Sequence, residues 1–196
     1  YRLYENNGVI KRSNISDYLN KINQDDRKKL RRLGVKFGRY HIFLFKLFKP
    51  NTVSLRILLW KIYNNKFLNL SPPTFGLNFL NNMKTANKDF MLLCGFEKFD
   101  DIYVRIDILE RLFILIFNSE KDDKKEVKVI PEMLNLLGCS KENFNKLLKK
   151  MDYKIYEKEK EIFIRYVPSK RRVFNKYDKK DNLNNPFNIL NQLNLK

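Results

Sequence analysis

The chain has 196 residues, 43% of them hydrophobic, enough for one large domain or two small ones, and its 40 Lys and Arg against 22 Asp and Glu give a formal net charge of +18. No apolar run reaches the length that would cross a membrane, and no charged stretch followed by an apolar one and a cleavage site marks a secretory signal. A field of this sign concentrates phosphate-bearing partners, which makes nucleic acid the leading ligand, although the Lys, Asn, Ile and Phe content also fits the drift of an AT-rich genome.

The chain opens on Tyr1 rather than Met and reads as a fragment whose N-terminal neighbour is missing. Tyr1 to Ile10 alternate around Asn6-Asn7-Gly8, which predicts a small β-hairpin. Ser13 and Ser16 can cap a short helix with Ile15, Tyr18, Leu19 and Ile22 on one face. Asp25 and Asp26 open a second helix that Gly34 ends. Val35 to Phe48 reads as extended or mixed. Beyond Lys49-Pro50, Asn51 or Thr52 starts a helix whose Leu55, Leu58, Leu59, Ile62 and Tyr63 are spaced for one buried face, with Trp60 closing that core. Ser71-Pro72-Pro73 to Gly76 punctuates the chain, and a domain boundary is expected between there and Thr85.

The second half predicts a short strand at Ile102 to Ile106, an apolar helix at Asp107 to Phe117 and a charged loop at Ser119 to Lys128. Pro131 suits the first turn of a helix to Leu137, Gly138-Cys139 makes a tight turn, and Ser140 caps a helix from Lys141 to Lys150 with Phe144, Leu147 and Leu148 inward. Tyr153 to Tyr156 and Glu161 to Val167 alternate as a hairpin. Three helices and a hairpin in that order describe a winged helix. The expected fold is therefore α+β and mainly helical. A hairpin-plus-helices domain spans 1–84, a winged-helix-like domain 85–168, and a disordered Lys/Asn-rich tail 169–196, with a short amphipathic segment at Pro186 to Leu195.

No phosphate-binding Gly-x-x-x-x-Gly-Lys-Ser/Thr loop occurs, and no Cys/His cluster or nucleophile elbow, so no catalytic residue, metal site or cofactor is assigned to this chain. Cys94 and Cys139 read as buried thiols, His41 as a packed histidine, and Asp100-Asp101 and Asp122-Asp123 as solvated charge. The candidate contacts are cations. Arg31, Arg32, Lys36 and Arg39 flank Phe37 and Tyr40, an interleaving that lets guanidinium groups hold phosphates while aromatic faces stack on unpaired bases. The alternative is that both rings face the core. Lys141, Lys146, Lys149 and Lys150 lie on the expected recognition helix, and Lys154, Lys158, Lys160 and Arg165 on the wing. Winged helices meet nucleic acid with those elements, yet many bind only protein. Lys170, Arg171 and Arg172 on the tail would add nonspecific phosphate affinity.

The segment Arg27 to Leu44 (RKKLRRLGVKFGRYHIFL), the run Leu47 to Pro50 and the pair Leu59-Trp60 resemble the region after the motor in alphaproteobacterial helicases similar to the mitochondrial degradosome RNA helicase. Val104 to Leu112, Pro131 to Ser140 running on to Met151 to Lys154, and Asn185 to Leu190 agree collinearly. The chain departs from the family pattern at Phe45-Lys46 and over Met151-Asp152-Tyr153-Lys154, where the family has Leu-Gly-Tyr-Arg. The resemblance implies the non-catalytic C-terminal part of an ATP-dependent RNA or DNA helicase, cytoplasmic and bacterial, whose ATP and Mg sites belong to an upstream motor in cis. It also implies possible partnership with a ribonuclease. The other expectation is a protein-docking module, for a ribonuclease or a ribosome, built on Phe187 to Leu193 and the helix Asp107 to Phe117.

Overall fold

A computed structural model describes residues 1–65, 69–83, 86–119, 126–158 and 161–167. The tail expected over 169–196, with Lys170, Arg171 and Arg172, lies outside the described residues, as does Lys160. The architecture is α+β, with three antiparallel sheets of three strands each among the described residues.

The N-terminal ten residues do not form a hairpin. Arg2–Glu5 make one helical turn (α1), and the positive φ of Asn7 (54°) and Gly8 (76°) turns the chain into β1 (Val9–Lys11). β1 pairs with β3 (His41–Leu44), Val9 opposite Phe43 and Lys11 opposite His41. The Asn-Gly signal located the positive φ angles, but two strands alone are marginal in water, and β1 gains more by joining a buried strand that lies far along the chain. α2 (Ser16–Lys21) follows a 3-10 turn over Arg12–Ile15 and begins at Ser16 with no side-chain cap, so neither serine serves as expected. α3 (Gln24–Arg32) is capped by Asn23, whose Oδ1 accepts from the Asp26 N–H at 2.7 Å, with Asp25 and Asp26 in the first turn. Gly34, at φ 97°, ends it and leads into β2 (Val35–Phe37), which flanks β3 on its other edge.

α4 (Pro50–Tyr63) uses Pro50 at its first turn, where the missing N–H costs nothing. Its expected face is inverted. Val53, Ile57 and Trp60 turn inward, toward Phe90, Met91, Phe96 and Tyr103, and the Trp60 and Phe90 rings meet at a tilt with centroids 5.5 Å apart. Leu55, Leu58, Leu59, Ile62 and Tyr63 are 46–64% exposed. The helix is apolar nearly all round, so spacing offered two faces and could not choose between them.

β4 (Phe79–Leu80), α5 (Lys88–Leu93), β5 (Phe96–Phe99) and β6 (Ile102–Arg105) build a second sheet in the order β4-β6-β5, with β6 central. Only β6 was expected. α6 (Ile106–Asn118) carries the apolar pattern inward through Leu109, Leu112, Phe113 and Ile116. Ile106 also packs with Val9 and Phe43, which ties α6 to the first sheet.

β7 (Glu126–Lys128) replaces part of the expected charged loop. Its single buried residue, Val127, sits opposite Ile164, and one apolar residue among charges leaves no periodicity to read. α7 (Pro131–Leu137), α8 (Lys141–Lys150), β8 (Tyr153–Lys158) and β9 (Glu161–Tyr166) follow as expected, and the third sheet runs β7-β9-β8. Gly138 is left-handed at φ 66°, and Phe144, Leu147 and Leu148 are fully buried. Ser140 Oγ accepts from the Asn143 N–H at 3.3 Å at the start of α8. Ser140→Ala should therefore lower stability by about 1 kcal/mol, read as a shift of the urea midpoint at unchanged slope.

Candidate nucleic-acid interface

The first predicted cluster surrounds the turn between β2 and β3. Arg31 and Arg32 stand exposed in the last turn of α3 and Lys36 exposed on β2. The Arg31 guanidinium lies over the Phe37 ring at 5.7 Å and that of Arg39 over Phe117 at 4.6 Å. Phe37 is partly buried against Ile10, Val35 and Ile42. Tyr40 packs its ring on Phe113 with centroids 4.0 Å apart, and burial, with Tyr166 nearby, raises its phenol pKa. The two aromatic residues expected to stack on bases therefore spend much of their surface on the protein itself.

What holds this turn is a carboxylate to which no role is assigned from sequence. Glu110, on the inward face of α6, accepts from the backbone N–H groups of Arg39 (2.5 Å), Tyr40 (3.1 Å) and His41 (2.7 Å), and from His41 Nδ1 at 2.9 Å. The other ring nitrogen, Nε2, lies 3.3 Å from Glu97 Oε2, and Lys11 Nζ reaches Glu97 Oε1 at 2.7 Å. Carboxylates on both sides require both ring nitrogens to donate, the pattern of an imidazolium. Burial opposes that charge, but the hydrogen bonds that the ring donates to Glu110 and Glu97 prevail and raise the His41 pKa above its ordinary value. Burial likewise works against the Glu97 charge, yet His41 and Lys11 outweigh it and hold its pKa at about 2.

His41 is packed, as expected, but it packs as a bridge between two carboxylates. The available signal was Glu110 on the buried face of an apolar helix, since a carboxylate there demands partners. Gly38 completes the arrangement, because a Cβ on it would lie 2.4 Å from the Glu110 carboxylate.

The second cluster lies on α8 and the hairpin. Lys141, Lys146 and Lys149 are exposed on α8 and make no ion pair among the described residues, and the same holds for Arg31, Arg32, Lys36 and Arg39. Lys150 pairs with Asp100, and Lys158 with Glu126 at 2.7 Å. On the outward side of the third sheet Lys154 stands directly opposite Arg165, and Tyr156 opposite Phe163. The Lys158 ammonium lies over the Tyr156 and Phe163 rings at 5.4 and 5.8 Å. Neither ring was singled out from sequence, because alternation marks a face as outward without saying what it contacts.

No group of three or more His, Cys, Asp or Glu suited to a metal occurs among the described residues. The cysteines are free, and burial pushes Cys94 up to about 12 and Cys139 up to about 11, far from the range of a reactive thiolate. No described helix is long and apolar enough to cross a membrane. Compared with protein-family models, curated proteins and solved structures, the chain matches none.

Proposed function

We propose that the chain is a non-catalytic, nucleic-acid-binding accessory region, and that its parent is the ATP-dependent RNA or DNA helicase that the sequence resemblance implies, with the motor in cis. The observation that carries the binding role is charge without partners: Arg31, Arg32, Lys36, Arg39, Lys141, Lys146, Lys149, Lys154 and Arg165 make no ion pair among the described residues, while Lys150 and Lys158 do. Unneutralised cations repel one another, and a phosphate backbone relieves that repulsion. The order α6-β7-α7-α8-β8-β9, with β7 beside β9, supports a winged-helix reading of the second half.

The test is binding of fluorescent single-stranded RNA across a salt series. Affinity should fall by roughly 0.7 log units per log unit of salt for every phosphate neutralised, with little sequence preference. Replacing Arg31, Arg32, Lys36 and Arg39 together by Ala should weaken every sequence alike and flatten that slope. An affinity independent of salt, or equal for the folded variant and the wild type, would refute this role for the cluster.

One observation favours a second reading, a protein-docking module: the outward apolar stripe of α4, formed by Leu55, Leu58, Leu59 and Ile62. On the first reading Leu58→Ser with Ile62→Ser leaves RNA affinity unchanged.

A further inference from the structure

The outward face of the β7-β9-β8 sheet holds a conflict that stability alone does not explain. Like charges directly opposite on an antiparallel pair repel, and Lys154 stands directly opposite Arg165. Both are exposed. The carboxylate best placed to neutralise Arg165 is Glu126, its partner on the other side in the register, but Glu126 is held by Lys158. The two cations line a shallow depression of about 450 Å³ with Glu126, Tyr156, Tyr166 and Val167.

One step along the same face, Tyr156 and Phe163 stand directly opposite each other in the register, on the side away from the core. The core takes the other set of residues, Tyr153, Ile155 and Ile164, while Tyr156 and Phe163 stay half-buried on the far face. Residues two apart on a strand lie about 7 Å from each other on one face, a span that a nucleotide bridges from phosphate to base. Cations that repel one another and aromatic rings that face outward are the two components of a single-strand binding surface.

From this we infer that a single nucleic-acid strand lies on the outward face of this sheet, with a backbone phosphate between Lys154 and Arg165 and a base stacked on the Tyr156 and Phe163 pair. The inference rests on the nucleic-acid reading above and specifies which surface touches the strand: the flat of the hairpin rather than its tip. The Lys158 ammonium covers the rings in the free protein and pairs with Glu126, so a strand laid on this face must compete with that carboxylate for it. Once displaced, Lys158 is available to a neighbouring phosphate.

The test uses the full chain and a labelled oligouridylate of about eight nucleotides at low salt, read by anisotropy. Lys154→Ala with Arg165→Ala should weaken binding about tenfold, as should Tyr156→Ala, whereas Tyr156→Phe keeps the ring and the wild-type affinity. The double Ala variant should melt no lower than the wild type, because removing the pair removes its repulsion; lost affinity with retained Tm separates contact from misfolding. Wild-type binding that persists within about twofold in the Lys154, Arg165 and Tyr156 variants overturns this inference and leaves the nucleic-acid reading standing. No binding by the wild type at low salt overturns both.

Discussion

Glu110→Ala should remove about 3 to 5 kcal/mol of stability, the cost of deleting one member of a buried charged network. Marginally stable domains have about 5 to 15 kcal/mol in total, so the variant approaches unfolding at room temperature. Three backbone donors and the His41 ring lose their acceptor at once, and the His41 N–H and ring nitrogen are buried, since His41 is 3% exposed and Glu110 4%. Glu110→Gln should fall between wild type and Ala: its carbonyl oxygen still accepts, but its NH2 confronts N–H groups that it cannot bond. Urea midpoints measure the loss, and native-state amide exchange at Arg39, Tyr40 and His41 locates it. A cost below about 1 kcal/mol for Glu110→Ala would mean that the carboxylate only fills space.

Stability should pass through a maximum on the acid side of neutrality. His41 has a raised pKa when folded, so its contribution is complete below its ordinary value near 6.5 and drains away as pH climbs through the folded value. Glu97 has a pKa lowered from 4.5 to about 2, so its contribution is complete above the ordinary carboxylate range and drains away as pH falls toward about 2. The Glu97 displacement alone corresponds to a loss on the order of 3 kcal/mol across that acid interval. The window in which both contributions are whole runs from about pH 4.5 to about pH 6.5. Thermal unfolding across pH reads this as a falling Tm on either side. His41→Gln should abolish the alkaline decline, and a wild-type Tm that rises steadily from pH 5 to pH 8 would show that His41 is neutral in the fold.

These two results test the part of the molecule that the sequence least revealed. α7 and α8 were legible because each end carries its own local signal: Pro131 at a first turn, Gly138 in the left-handed region and Ser140 as a cap, followed by Phe144, Leu147 and Leu148 at helical spacing. β1, β2 and β7 have three residues each, too few for alternation to register, and their partners are set by tertiary position. The buried face of α4 was unreadable for the opposite reason, an excess of apolar residues. Among the candidate contacts, the described cations on α8 and the hairpin are exposed, because side chains that lie outward on a regular element follow its period. The Glu110 clamp was missed because His41, Glu97 and Lys11 come from β3, β5 and β1, and no local pattern places them together.

The reach of that clamp has a bearing on the order in which the protein can fold. Its hydrogen bonds join residues 69 to 71 positions apart, and the Val9, Phe43 and Ile106 contact closes a loop of similar length. Loops of that size form slowly, so the first sheet can be sketched early but not locked until α6 has been made. On a ribosome that releases about 5 to 20 residues per second, His41 and its turn wait several seconds for residue 110 to emerge, with Val9 and Phe43 open to other partners meanwhile. The first sheet thus stays incompletely packed during synthesis until α6 has been made.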